Sequence, residues 1–225
     1  TGGSIMAIEN WKKQRRIGNI PTFTKKFYIF CEGRKTEPNY FEGMKRRIEQ
    51  KGIYKNSVFV NIEGVGKGTL KILDYAKKYI EKNKVEEGEA WIVYDKDDFT
   101  ERDFNLVSSK INTWNQTGKK IEYHAAWSNQ CIEYWFILHF DYYTSDNDRF
   151  FYVEYLNKKF FGLGAGLYAK NDKNIFEKLE RYGNSDKAVK FAEKRLEELA
   201  GLPDAKAVPA TKVHLLYTKL RQYFE

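Results

Sequence analysis

The sequence predicts an α/β fold: a parallel sheet of about four strands flanked by helices, followed by a C-terminal helical annex. Two observations carry this expectation. Over the first two-thirds of the chain, short apolar runs alternate with segments of helical periodicity, and the intervals are long enough for crossover helices between parallel strands. One run, AWIVY at residues 90–94, is apolar nearly throughout, as expected of a central strand covered on both faces.

Residues 26–31 (KFYIFC) read as the first strand. A helix follows over about 37–50, with Tyr40, Phe41, Met44 and Ile48 at helical spacing; Thr36 and Pro38 suit its start as a cap and an early proline. Residues 57–62 (SVFVNI) give the second strand, and 69–82 the second helix, with Leu70, Leu73, Ala76, Tyr79 and Ile80 on one side. The third strand at 90–94 leads to a helix over about 102–114, and residues 121–127 (IEYHAAW) form the fourth strand. From residue 129 the pattern changes. Residues 131–140 are apolar almost all round, which fits a buried helix. Residues 141–172 mix aromatics with Gly162, Gly164 and Gly166 and show no clear period. Residues 174–181, 185–200 and 212–224 read as helices, with 202–209 as a loop. The chain thus divides into residues 1–25, a tag remnant (TGGSI before Met6) and basic N-terminal arm; 26–140, the core; and 141–225, an aromatic-rich, helical extension.

The 225 residues suffice for one sizeable core, and 42% hydrophobic with 31% charged residues is an ordinary globular balance. No apolar run approaches the roughly 20 residues of a membrane helix, and no signal peptide follows Met6. Cys31 and Cys131 sit in apolar surroundings and fit two buried thiols of a reduced, cytoplasmic protein better than a disulfide framework. Net charge is +8, and residues 1–26 hold six basic residues against Glu9 alone. Such an arm suits a phosphate backbone, an acidic protein partner or simple solvation.

The chemistry-bearing signal is acidic. Glu32 closes the first strand, followed by a glycine that lets the backbone turn, and Asp95 and Asp97 close the third. In an open parallel sheet ligands bind beyond the carboxyl ends of the strands. Two aspartates two residues apart in an extended segment point the same way. Facing a glutamate from a neighbouring strand, they could hold Mg²⁺ or Mn²⁺, which generates a hydroxide nucleophile and offsets charge on a phosphoryl group. The plain alternative is that Asp95, Asp97 and Asp98 only begin a turn.

These residues also carry a resemblance. The glutamate-glycine after the first strand and the DxD after the third resemble the Toprim domain. CEGRKTEPNYF at residues 31–41, VYDKDD at 93–98, SNQCIEYWFILHF at 128–140 and ATKVHLLYTKL at 210–220 together resemble the RloB family, associated with bacterial phage defence. The resemblance implies a Toprim-like, Rossmann-like core and a Mg²⁺-dependent nuclease. It also implies an ABC- or AAA-type ATPase as partner in an abortive-infection system. Many nuclease-type Toprim sites carry a second acid four residues after the glutamate; that position here is Thr36, and Glu37 follows it.

Glu37 is then either a substitute ligand or a carboxylate favoured by a helix N-terminus. Glu133, in the first turn of an apolar helix, is a direct or supporting metal ligand, or is accounted for by capping through Ser128 and Asn129. Arg34, Lys35 and Lys67 are candidate phosphate contacts. His139 is a core histidine or a donor to phosphate. EGVGKGTL at residues 63–70 is not a P-loop, because glycine follows the lysine, though its amides suit an anion. The aromatics of residues 134–161 suit core packing, a protein interface or base stacking.

Three functions compete. The first is a metal-dependent phosphodiesterase acting on DNA or RNA, tRNA included. The second is a non-catalytic, Toprim-shaped subunit docked on an ATPase. The third, an aspartyl-phosphate receiver, fits least, since the first strand ends in glutamate. Self-association is compatible with the sequence, which specifies no oligomeric state.

Overall fold

The computed structural model describes residues 24–52, 57–116 and 120–225. The expected arm therefore lies outside the described residues except at its end, where Lys25 opens the first strand and Lys26 pairs with Glu87 at 3.1 Å.

Four strands alternate with three helices: β1 (Lys25–Cys31), α1 (Thr36–Gln50), β2 (Val58–Gly64), α2 (Thr69–Lys82), β3 (Gly88–Asp95), α3 (Glu101–Asn115) and β4 (Ile121–Asn129). There follow α4 (Glu133–Leu138), α5 (Arg149–Gly162), α6 (Ile175–Tyr182), α7 (Ser185–Glu198), a single 3₁₀ turn (Asp204–Lys206), β5 (Ala210–Thr211) and α8 (Val213–Arg221). The sheet order is β2-β1-β3-β4-β5; the first four strands are parallel and β5 is antiparallel to β4. This is an α/β fold with a mostly parallel sheet between helices, consistent with a Rossmann-like arrangement.

Strand periodicity explains the layers. On β1, Phe27, Ile29 and Cys31 enter one apolar cluster, and Tyr28 and Phe30 the other; on β3, Trp91 and Val93 oppose Ala90, Ile92 and Tyr94 in the same way. The first cluster is capped by Tyr40, Phe41, Met44 and Ile48 of α1 and by the C-terminal helices. The second is capped by Ile72, Leu73, Ala76 and Ile80 of α2 and by Phe104, Val107 and Ile111 of α3. Full burial of each Val, Leu, Ile, Met or Phe side chain among them contributes about 1.5–3 kcal/mol. β3 lies between β1 and β4, as its unbroken apolar run predicts.

Several local expectations need correction. Thr36 does not cap α1: Lys35 occupies that position without a side-chain bond, and Thr36 Oγ1 instead donates to the Lys170 carbonyl at 3.0 Å. The buried helix is only six residues long. Ser128 and Asn129 do not cap it. Ser128 Oγ is 3.0 Å from Thr211 Oγ1 of β5, and Asn129 Nδ2 donates to the Ala205 carbonyl of the 3₁₀ turn at 3.1 Å, so both tie β4 to the segment before α8. The supposed loop before α8 holds the 3₁₀ turn, and β5 follows it at once. α5, where no period was legible, has apolar residues on both faces: Tyr152, Leu156 and Phe160 are buried, while Phe150, Phe151 and Phe161 are 54–74% exposed. Both cysteines are free and buried. Among the described residues no helix is long and apolar enough to cross a membrane.

Candidate functional site

In this strand order the chain turns from one side of β1 to the other between β1 and β3, and ligands of open α/β sheets bind at such a switch point, beyond the carboxyl ends of the strands. Glu32 follows β1 and Asp95 ends β3, so the topology sets them side by side. The Glu32 amide donates to Val93 at 2.9 Å, and Glu32 Oε2 accepts from the Asp95 amide at 3.3 Å. The end of β2 closes the other side: the Val65 and Gly66 amides donate to Cys31 and Glu32, both at 2.9 Å.

Asp97 arrives differently from expectation. β3 stops at Asp95, and Asp97 has φ +35°, so the segment is a turn and the two-residue period does not apply. Aspartate is among the residues that tolerate this left-handed region, and such positions concentrate at functional sites. The turn is pinned to the end of β4: Lys96 N–H lies 2.9 Å from both the Ser128 and Gln130 carbonyls, and Asp97 N–H donates to Gln130 at 3.1 Å. Glu32 and Asp97 then line one cleft of about 420 Å³ together with Gly66, Lys67, Gly68, Asp98 and Phe99.

Behind this cleft, Asp95 lies near Glu37 and Glu133. Burial pushes the Asp95 carboxyl well above its usual range, and Glu37, Glu133, Asp97 and Glu32 add to the rise in that order. Asp95 Oδ1 is buried with no hydrogen-bond partner. Glu37 is 4% exposed and accepts from the Gly33 amide at 3.0 Å. Burial raises its carboxyl, the amides of Glu37 and Gly33 oppose the rise, and Glu133 and Asp97 add to it. Gly33 is needed for space, not for a turn: a Cβ there would lie 2.3 Å from Glu37 Oε2. Burial, reinforced by the neighbouring acids, also raises both thiols, Cys31 beside Glu37 and Cys131 beside Glu133.

The charges that balance these acids come from beyond residue 140. Arg149, at the start of α5, sets Nη1 3.2 Å from Asp97 Oδ1 and Nη2 3.7 Å from Asp98 Oδ2. Glu133, 2% exposed, accepts from the Tyr168 hydroxyl at 2.8 Å and lies 3.5 Å from Lys170 Nζ. Burial still outweighs Arg149 and Lys170 at Asp97, whose carboxyl is raised. Sequence reasoning missed Arg149, Tyr168 and Lys170, and nothing in their local pattern marks them. Of the basic residues it singled out, Lys67 lines the cleft and lies 5.7 Å from the Tyr75 ring centre. Arg34 is exposed and its side chain runs against Gly66, where a Cβ would meet Nε at 2.0 Å. Lys35 is exposed at the α1 N-cap. His139 is not placed to meet a phosphate: it is 2% exposed, its Nδ1 donates to the Trp135 carbonyl at 3.0 Å, and Gly183 packs on its Cβ.

Among the described residues, no three His, Cys, Asp or Glu side chains form a ready coordination group. Asp97 and Glu133 face cations of the chain, and Glu37 faces a backbone amide. The donor chemistry still suits a hard divalent cation: every candidate ligand is a carboxylate, and Asp95 Oδ1 is buried without a hydrogen-bond partner. Compared with known proteins, the chain matches no curated protein and no solved structure. A family model described as RloB-like protein matches residues 27–220, from the third residue of β1 to the last but one of α8. The chain belongs to the RloB-like family.

Proposed function

We propose that this protein is a metal-dependent nuclease that hydrolyses phosphodiester bonds of DNA or RNA, tRNA included, as the toxic effector of a phage-defence system with an ATPase partner. The observation that carries the reading is the junction at the β1/β3 switch point. Glu32 is bonded to the backbone of Asp95, shares an open cleft with Asp97, and has Lys67 on the same wall. Glu32, Asp95 and Asp97 would hold Mg²⁺ or Mn²⁺, with Glu37 and Glu133 behind them; the cation would lower the pKa of a bound water and offset phosphoryl charge. Lys67 would draw the phosphate towards the acids, and Glu32, if it does not ligate the metal, would take the proton of the attacking water as the phosphorus–oxygen ester bond breaks and the leaving oxygen is protonated from solvent. The test is cleavage of DNA, tRNA and other RNA by the purified chain with Mg²⁺ or Mn²⁺, with Asp95→Ala and Glu32→Gln as controls. A preparation that cuts none of them, together with cellular toxicity unchanged in Asp95→Ala, overturns the proposal.

A second reading has its own support. The acids are engaged within the chain, and Phe150, Phe151 and Phe161 expose apolar surface on α5, as a docking subunit would. On that reading the protein is a non-catalytic component of an ATPase complex. Phage protection and ATPase co-purification that both survive Asp95→Ala would favour it.

A further inference from the structure

The segment 163–174 runs between α5 and α6 without regular structure, yet it is tied down along its length. The Tyr168 amide donates to Asn157 Oδ1 at 2.9 Å and its hydroxyl to Glu133 at 2.8 Å. Thr36 Oγ1 holds the Lys170 carbonyl at 3.0 Å, and Arg46 Nη2 holds that of Lys173 at 2.9 Å. Thr36 thus serves to fix the strap at Lys170. The effect is to deliver the Lys170 ammonium to Glu133, a nearly fully buried carboxylate, while Arg149 pairs with Asp97.

We infer that Lys170 and Arg149 are resident counter-cations of the acidic site, which a divalent metal must displace, so that the strap 163–174 and the start of α5 together set the metal affinity. This rests on the metal-binding part of the proposed function, but not on cleavage. A unit positive charge held beside a carboxylate lowers that carboxylate's attraction for a second cation, and the penalty is large where water is excluded. Conversely, removing Lys170 leaves Glu133 buried with neutral partners, the Tyr168 hydroxyl and the Cys131 thiol, a state that a divalent cation relieves.

The test is Mn²⁺ binding by the full chain, followed by electron paramagnetic resonance of the free ion, which needs no turnover. Lys170→Gln and Arg149→Gln should each tighten binding about tenfold by removing a competing unit charge, while Lys170→Arg stays close to the parent. The unfolding temperature gives a second readout: Mn²⁺ should raise it more in Lys170→Gln than in the parent. Should Lys170→Gln not fold, Arg149→Gln carries the test, because Arg149 lies on the exposed start of α5. Binding by the parent that is unchanged or weakened in the Gln variants overturns the inference. No Mn²⁺ binding by any variant at millimolar ion overturns the metal reading and this inference together. Binding that tightens as expected with no cleavage of any nucleic acid supports the inference and removes only the nuclease.

Discussion

Gly33→Ala tests how the site is packed. A Cβ on Gly33 would stand 2.3 Å from Glu37 Oε2, 2.8 Å from Oε1 and 2.9 Å from Cδ, where ordinary contact begins at 3.4 Å. The carboxylate must therefore retreat by about 1 Å. Glu37 is only 4% exposed, so there is no solvent to retreat into, and movement breaks its bond from the Gly33 amide. Losing a hydrogen bond to a buried carboxylate costs about 1.5–3 kcal/mol. Relief of repulsion from Glu133 and Asp97 offsets part of this, which leaves a net loss of about 2 kcal/mol. In a Glu37→Ala background the obstacle is gone. Gly33 is not among the glycines with positive φ, so alanine fits its backbone and should be neutral or stabilise by about 0.4–1 kcal/mol through the unfolded chain. The double-mutant cycle, read from urea unfolding by circular dichroism, should give a coupling energy of about 2 kcal/mol. An equal loss in both backgrounds would mean that the glycine serves the backbone and that the packing explanation is wrong.

Other outcomes follow from the same geometry. Asp95→Asn should raise the urea midpoint without metal and abolish any Mn²⁺-induced gain, a stability–function trade of the kind common at active sites. The folded Asp95 carboxyl takes its proton at higher pH than the unfolded chain does, so the parent's handicap is present at neutral pH and should shrink on acidification; a pH-independent difference would refute it. His139 behaves oppositely: burial lowers it to about 4, so between about pH 6.5 and 4 the unfolded chain binds the proton first and stability falls by up to about 3 kcal/mol. His139→Gln should lose less stability than the parent over that window; identical pH profiles would show that His139 does not stay neutral. Tyr168→Phe should cost about 1.5–3 kcal/mol, the price of one bond to a buried carboxylate; a loss below the error of urea unfolding would place Glu133 in water.

The sheet was legible because its signals are periodic. The run at β3 is apolar on both faces and lies centrally, and the four parallel strands with their three intervening helices were placed to within a few residues. β5 was not legible because two residues carry no period, and it exists through contacts of Ser128 and Asn129, whose local pattern suggested caps instead. α5 escaped because Phe150, Phe151 and Phe161 on its outer face obscure the apolar stripe formed by Tyr152, Leu156 and Phe160.

The acids could be read from sequence because each one ends a recognisable strand or begins a helix, so topology alone brings Glu32 to Asp95. Their counter-charges could not. Arg149 and Lys170 lie more than fifty residues past Asp97, on a helix start and an irregular strap, and an ion pair leaves no spacing rule behind. The basic residues suggested by proximity in sequence turned out to be wall and surface: Lys67 on the cleft, Arg34 against Gly66, Lys35 in solvent. Burial first, and repulsion between the acids second, raises the carboxyls of Asp95, Asp97 and Glu37, so their charged forms are disfavoured without cations nearby. The fold therefore needs a positive partner there before any ligand arrives, and the C-terminal extension supplies it. That makes residues 141–225 part of the site's electrostatics and not only a cover for one face of the sheet.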